Sequence, residues 1–239
     1  MEKVFKVFVD FDGTITRKDI GDAVFTKFGH TAIVKQVIED LLSDRISARD
    51  CWLKLCQSVD YIEKQELDEF ILRIEIDKTL HDLVEYCDKN KIKLFILSDG
   101  FDYYIDLILK REKLDHLKVF SNKLRLNEDN TLTPAFPYYD SGCTTSANCK
   151  RNHIIDNSAD DEYTVFIGDG NSDKYTVHFC DFIFAKDDLL RYCEKERISY
   201  FPFNNFTDVI GRMETLRNRK RLKKRHQAEL KRRELYIKE

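Results

Sequence analysis

Two aspartates one residue apart, Asp10 and Asp12, follow an apolar run over residues 4–9. Side chains alternate along a strand, so both carboxylates would lie on the same side of the chain as it leaves the sheet. Carboxylates this close repel unless a cation lies between them or one holds a proton. The pair suits metal binding and proton transfer, and the alternative is a surface turn, because Asp-Gly is a common turn signal.

A second polar group, Ser98, Asp99 and Gly100, follows the apolar run over residues 92–97. A serine hydroxyl and turn amides at a helix N-terminus form a natural anion site. Serine also caps helices routinely, so this pattern alone is weak. We interpret it as a candidate anion site.

A third apolar run, over residues 163–167, ends in Gly168, Asp169 and Gly170, with Asp173 four residues after Asp169. Lys150 begins the helix predicted before this run. Ligands of open parallel sheets bind at the carboxyl ends of the strands. The order of these groups after successive strands therefore favours one shared site over several unconnected turns.

The elements that must position these residues alternate between strand and helix. The three apolar runs are rich in β-branched and aromatic residues, as strands buried on both faces of a parallel sheet are. Between the first two, apolar residues at helical spacing predict four helices from residue 20 to residue 73, with Asp19 and Ser47 as caps of two of them. Residues 119–126 and 131–133 predict a hairpin. The fold class is therefore α/β with a helical insertion.

The composition is that of a soluble globular protein, with 42% hydrophobic residues in a chain of 239. No stretch reaches the length of about 18 apolar residues that a membrane span needs. The first residues lack the apolar region of a signal peptide, and the seven cysteines are an odd number, so we expect reduced thiols and a cytoplasmic location. Cys143 and Cys149 have a poor zinc-binding pattern.

The last 23 residues, 217–239, are strongly basic. They contain eleven Lys or Arg and three Glu, a net charge of +8 in a chain whose total is -3. Good helix formers predict a helix, either solvated or packed on a partner. Nucleic-acid binding is the less favoured alternative.

The ordered motifs resemble the four signatures of the haloacid dehalogenase (HAD) superfamily of phosphotransferases. They are Asp10-Phe-Asp12-Gly-Thr14, Leu97-Ser98-Asp99-Gly100, Lys150, and Gly168-Asp169-Gly-Asn-Ser-Asp173. The resemblance spans about residues 4–206. It is strongest to the phosphoserine-phosphatase-like subfamily IB, and within it to the group of the methionine-salvage 2-hydroxy-3-keto-5-methylthiopentenyl-1-phosphate phosphatase.

This resemblance implies a domain organisation. Residues 1–16 and 82–216 would form a Rossmann-like core, residues 17–81 an all-helical C1-type cap, and residues 217–239 a basic helical tail.

The resemblance also implies roles. Asp10 would be the nucleophile, Asp12 the general acid and base, and Lys150 would neutralise charge on Asp10 and phosphate. Mg²⁺ would bind Asp10, the Asp12 carbonyl and Asp169. Phosphate would be bound by Ser98, Asp99, Gly100 and Thr14. Asp173 would hold Lys150 or metal-bound water in place.

The function implied is Mg²⁺-dependent hydrolysis of a small phosphorylated metabolite, such as a methylthiopentenyl phosphate. Phosphoserine, phosphocholine or phosphoethanolamine are alternative substrates, although Ser98-Asp99-Gly100 departs from the Ser-Gly-Gly usual in phosphoserine phosphatases. Phosphoryl transfer to a second acceptor is a third possibility. An inactive scaffold that binds a partner or nucleic acid through the basic tail is the non-enzymatic alternative. The oligomeric state is left open.

Overall fold

The computed structural model describes residues 3–143 and 146–236, which divide into two compact units. The first unit comprises the residues up to Ile15, Ile76–Leu97, and the residues from Lys150 onward. The second unit comprises Thr16–Glu75 and Ser98–Cys149. The first unit thus combines segments that are far apart in the sequence.

Within the described residues, seven strands form a mostly parallel sheet. They are β1 (Phe5–Asp10), β2 (Lys93–Phe101), β3 (Lys118–Leu126), β4 (Leu132–Ala135), β5 (Tyr163–Gly168), β6 (Phe182–Ala185) and β7 (Phe201–Pro202). Their order is β4-β3-β2-β1-β5-β6-β7. The β3–β4 pair is the predicted hairpin and is antiparallel, whereas β1 pairs in parallel with both β2 and β5. The predicted α/β class, Rossmann-like with a parallel-sheet core, is confirmed.

β1 lies at the centre of this sheet, and each of its residues is buried. Its valines and phenylalanines fill both faces, which explains why the strand lacks an alternating polar pattern. Asp10 lies opposite Leu97 of β2, and Val9 lies opposite Ile167 of β5. Because these strands are parallel, the residues that follow β1 and β5 emerge at the same edge of the sheet.

Ten α-helices occur in the described part of the chain. They are α1 (Ile20–Phe28), α2 (Thr31–Leu42), α3 (Ala48–Gln57), α4 (Lys64–Ile71), α5 (Leu80–Lys89), α6 (Asp102–Arg111), α7 (Lys150–Asp156), α8 (Asp187–Lys195), α9 (Phe206–Asn218) and α10 (His226–Tyr236). Helices α1–α4 and α6 belong to the second unit and the others to the first. Among residues 3–143 and 146–236, no helix is long and apolar enough to cross a membrane.

The predicted helices of the insertion are confirmed as α1–α4, and two predicted caps begin them. The Asp19 side chain accepts a hydrogen bond from the backbone N–H of Asp22, and the Ser47 side chain accepts one from that of Asp50. Each bond pairs an amide that a first helical turn otherwise leaves without a partner.

β2 is longer than predicted. The sequence predicts a strand over residues 92–97 and then a turn, but β2 continues to Phe101 and α6 starts at Asp102. The side chain of Phe101 is fully buried and packs edge-on against Trp52 at a ring-centroid distance of 4.9 Å. Burial of this aromatic ring favours extension of the strand past the polar residues.

All seven cysteines are buried free thiols, as expected of reduced cysteines. Burial raises the pKa of Cys51, Cys56, Cys87 and Cys180 to about 12. At neutral pH these four side chains are therefore protonated and behave as small hydrophobic groups.

Candidate active site

Lys150 is the central cation of the site in the first unit. It begins α7, and its side chain is fully buried. The Nζ atom lies 2.5 Å from Asp10 Oδ1, 2.6 Å from Asp173 Oδ1 and 3.0 Å from Ser172 Oγ. These contacts use the three donors of an ammonium group. Burial by itself lowers the pKa of Lys150, but Asp10 and Asp173 raise it overall, so the lysine stays charged.

Asp10, the last residue of β1, is 4% exposed. Burial and the neighbouring Asp173 raise the pKa of its carboxyl well above the usual value, although Lys150 acts in the opposite direction. A buried carboxylate of this kind is a strong base unless additional positive charge is nearby.

The loop after β5 places the other two aspartates. The Asp173 Oδ2 atom accepts hydrogen bonds from the backbone N–H groups of Asp169 and Gly170, each 3.1 Å long. The Thr14 hydroxyl donates to Asp169 Oδ1 over 2.5 Å. The Asp169 carboxylate is thus oriented both by its own loop and by the loop after β1.

Asp10, Asp169 and Asp173 form a cluster in which the potential ligand oxygens lie within 4.8 Å of one another. Burial and Asp173 raise the pKa of Asp169 to about 6. Oxygen donors at close range, with the pKa raised at Asp10 and Asp169, suit a small divalent cation such as Mg²⁺, which would offset their repulsion. The residues present therefore fit the metal that the family resemblance implies.

Asp12 lies in the turn over residues 11–15, which a 2.9 Å hydrogen bond from Ile15 N–H to the Phe11 carbonyl closes. Asp12 is partly exposed, whereas Asp10 is buried. The two carboxylates therefore have different surroundings, which is what separate roles in one reaction require.

Gly13 in the same turn adopts φ +81°. A Cβ atom there would lie 2.3 Å from Asp169 Oδ2, so this position needs glycine for both its backbone conformation and its close approach.

We predict that Gly13→Ala lowers the free energy of unfolding by about 1–3 kcal/mol. Displacement of Asp169 should also lower kcat/KM for phosphate release by roughly 10²-fold. Thermal unfolding and steady-state kinetics measure the two effects. Gly170→Ala is the matched control, since no atom lies within 4 Å of a Cβ at that site. Equal behaviour of the two variants would contradict the prediction.

Ser98, Asp99 and Gly100 lie in the second unit. The Ser98 Oγ atom accepts a 2.9 Å hydrogen bond from the Gly100 N–H. Asp99 Oδ1 accepts three hydrogen bonds of 2.7 Å, from the Ser146 hydroxyl and the N–H groups of Ala147 and Asn148. This carboxylate therefore orders the segment that precedes Lys150 in the sequence, a role that the sequence did not reveal.

The structure brings together five of the predicted site residues in the first unit: Asp10, Thr14, Lys150, Asp169 and Asp173. Sequence reasoning missed Ser172 as a partner of Lys150, although its place between Asp169 and Asp173 was a signal. The chemical roles of all these residues, and of Asp12, Ser98, Asp99 and Gly100, stay predictions.

The chain is similar to known proteins over most of its length. The family model described as Putative Phosphatase matches residues 5–192. A 2-hydroxy-3-keto-5-methylthiopentenyl-1-phosphate phosphatase of Bacillus mycoides is 27% identical over 214 residues, which cover 88% of this chain and 96% of that protein. Pdp3-interacting factor 1 of Schizosaccharomyces pombe is 29% identical over 218 residues, 87% of this chain and 94% of that one.

Among solved structures, a phosphoserine phosphatase with an analogue of its phospho-aspartyl intermediate superposes with a TM-score of 0.66 at 16% identity. The match covers 89% of this chain and 99% of that one. At this identity the likeness shows that the two chains share a fold.

Proposed function

We propose that this chain, which belongs to the Putative Phosphatase family, is a phosphatase of the HAD superfamily that hydrolyses a small phosphorylated metabolite through an aspartyl phosphate on Asp10. The observation that carries this proposal is the buried contact of Lys150 with Asp10 and Asp173, next to Asp169. A carboxylate at a strand end, beside a fixed cation and two further carboxylates, suits attack on phosphorus more than a structural role.

In the first half of the reaction, an Asp10 carboxylate oxygen attacks phosphorus and the bond from phosphorus to the alcohol oxygen breaks. Asp12 gives its proton to the departing alkoxide. Lys150 stabilises the negative charge that builds up on the phosphoryl oxygens. The products of this half are the free alcohol and an acyl phosphate on Asp10.

In the second half, the Asp12 carboxylate removes a proton from water as the water oxygen attacks phosphorus. The bond between phosphorus and Asp10 breaks, which releases inorganic phosphate and restores the Asp10 carboxylate. Asp12 is then protonated for the next cycle. Dividing hydrolysis into two displacements lowers the barrier of each.

We propose Mg²⁺ as the metal, held by the carboxylates of Asp10 and Asp169 with the Asp12 carbonyl, and with Asp173 adjacent. The bound ion supplies positive charge that lets an anionic nucleophile approach an anionic phosphate. The 4.8 Å cluster and the raised pKa of Asp169 support this assignment.

A methionine-salvage-type methylthiopentenyl phosphate is the substrate that we propose first. The similarity to the Bacillus mycoides enzyme, over 96% of its length, supports it. We further propose that residues 17–81 form the specificity cap, since helices α1–α4 belong to the second unit. A cytoplasmic location is in keeping with the seven free thiols.

The decisive experiment is phosphate release from a panel of phosphomonoesters with Mg²⁺ and with a chelator. The panel contains the methylthiopentenyl phosphate, phosphoserine, phosphocholine and phosphoethanolamine, with and without a second alcohol as acceptor. We expect Mg²⁺-dependent release of inorganic phosphate, fastest from the first compound. Release that the chelator leaves unchanged would exclude the metal, and no release from any compound would overturn the proposed reaction.

A further inference from the structure

The basic C-terminal segment lies beyond the residues that the family model matches, yet α10 packs within the first unit against a short 3₁₀ helix, Thr176–Phe179. Two arginines of the segment donate to carbonyls of this 3₁₀ helix. Arg225, the residue before α10, donates to the Val177 carbonyl, and Arg232 of α10 donates to the Phe179 carbonyl over 2.6 Å. These two cations therefore serve internal contacts.

Arg232 makes the deepest of these contacts. The residue is 9% exposed, and its Nη2 atom lies 3.1 Å from Asp181 Oδ1. The other oxygen of Asp181 accepts hydrogen bonds of 3.0 Å from the backbone N–H and the hydroxyl of Thr164 in β5. Because each charged group of this buried pair has further hydrogen bonds, the pair favours a single placement of α10 on the first unit.

The same 3₁₀ helix packs on the helix that begins with Lys150. Arg151 donates to the Tyr175 hydroxyl over 3.2 Å, and its guanidinium carbon lies 5.3 Å from the Tyr175 ring and 5.9 Å from the Phe179 ring. Thr176–Phe179 also packs on Asn171–Asp173, the segment whose side chains bind Lys150. One four-residue element thus lies between the tail and the residues around Lys150.

We propose that Arg225 and Arg232 are positioning residues that keep Lys150 in place through the Thr176–Phe179 helix. A 3₁₀ helix this short has little stability of its own, so its location depends on its neighbours. With the two arginines removed, the helix can shift, and Arg151 and Asp173 shift with it. The kinetic part of this inference rests on the proposed function, and its structural part does not.

The first test compares Arg232→Met with Arg233→Met, a matched control one residue further along α10 whose side chain is exposed. We expect Arg232→Met to lower kcat about three- to thirtyfold, the range of mutations along such coupled networks. KM should change less than about twofold, because Lys150 acts mainly on charge that develops in the transition state. Arg232→Lys should recover part of kcat, since it retains a charge for Asp181.

Hydrogen exchange supplies a readout that needs no substrate. Amides of residues 150–156 and 171–179 should exchange faster in Arg232→Met than in the wild type or in Arg233→Met. If the wild-type protein hydrolyses no phosphomonoester, the proposed function fails, and this exchange comparison still decides whether the tail holds the loop.

A second variant, Arg225→Met, covers the case in which Arg232→Met does not fold. Within the described residues, Nε and Nη1 of Arg225 are buried without a hydrogen-bond partner. Removing the side chain takes one donor from the Val177 carbonyl, which still accepts a 3.4 Å hydrogen bond from the Cys180 N–H. This variant should fold, lower kcat and speed exchange over residues 171–179. If every variant that folds has the kcat of the wild type, the inference is overturned. This holds even where hydrogen exchange in that variant is faster than in the wild type.

Discussion

Asp10→Asn is expected to abolish turnover, with kcat lower by roughly 10⁴-fold or more. An amide oxygen is a poor nucleophile, and it adds no negative charge for Mg²⁺. The substitution preserves shape, so the backbone pairing of Asp10 with Leu97 should persist. Phosphate release measures the loss, and mass spectrometry of the acid-quenched reaction should detect phosphorylated wild type but not the variant.

Stability should change in the opposite direction to activity. Burial and Asp173 raise the pKa of Asp10, so without metal the ionised carboxylate opposes folding. Stability from this group is greatest below the unfolded pKa, near 3.8, and declines as pH rises from there towards the folded pKa. Neutral asparagine avoids that penalty. At pH 7 without metal, the Tm of Asp10→Asn should therefore equal or exceed that of the wild type.

Added Mg²⁺ should then raise the Tm of the wild type more than that of Asp10→Asn, because binding stabilises only the folded state. Asp161→Asn, at an exposed aspartate of the first unit, serves as the control for a generic loss of charge. Full activity of Asp10→Asn, or an equal response of both proteins to Mg²⁺, would contradict the assigned role.

Lys150→Met is expected to lower kcat/KM by roughly 10²–10³-fold, the effect of removing one preorganised charge donor. It should also lower the free energy of unfolding by about 3–5 kcal/mol, because it leaves Asp10 and Asp173 buried without their cation. Steady-state kinetics and denaturant unfolding measure the two effects. Lys195→Met, an exposed lysine of α8, should match the wild type in both.

A double variant separates stability from chemistry. Asp173→Asn added to Lys150→Met removes one of the two unpaired buried charges, so stability should partly recover. Activity should not recover, since the phosphoryl oxygens still lack the ammonium group. Recovery of kcat together with stability would show that Lys150 acts only through folding.

Much of the fold was readable from local sequence. The predicted strands at β1, β2 and β5 were confirmed because their β-branched and aromatic residues suit burial on both faces. Helices α1–α4 were confirmed because their apolar residues recur at helical spacing, and Asp19 and Ser47 supply caps where α1 and α3 begin. β6, with only four residues, was not predicted, since so short an apolar run does not distinguish a strand from part of a helix.

Some features of the candidate site were likewise predictable from the sequence, and others were not. The sequence by itself placed Asp10 and Asp169 after strand ends, so their proximity was predicted before any distance was known, and the family resemblance added Lys150. Only the tertiary structure decided that Asp99 orders residues 146–148, since hydrogen bonds between residues 47–49 positions apart leave no periodic pattern in the chain.

The basic tail, residues 217–239, is the clearest case in which the sequence did not determine the structural role. Its charge and helical propensity were evident from the sequence. They favoured a helix that is solvated or packed on a partner, with nucleic-acid binding as the less favoured alternative. The structure decided that Arg232 lies buried against Asp181 and the Phe179 carbonyl. Local sequence determines where a helix forms. The partner of each charged side chain depends instead on which acceptors, distant in the sequence, the folded chain brings close to it.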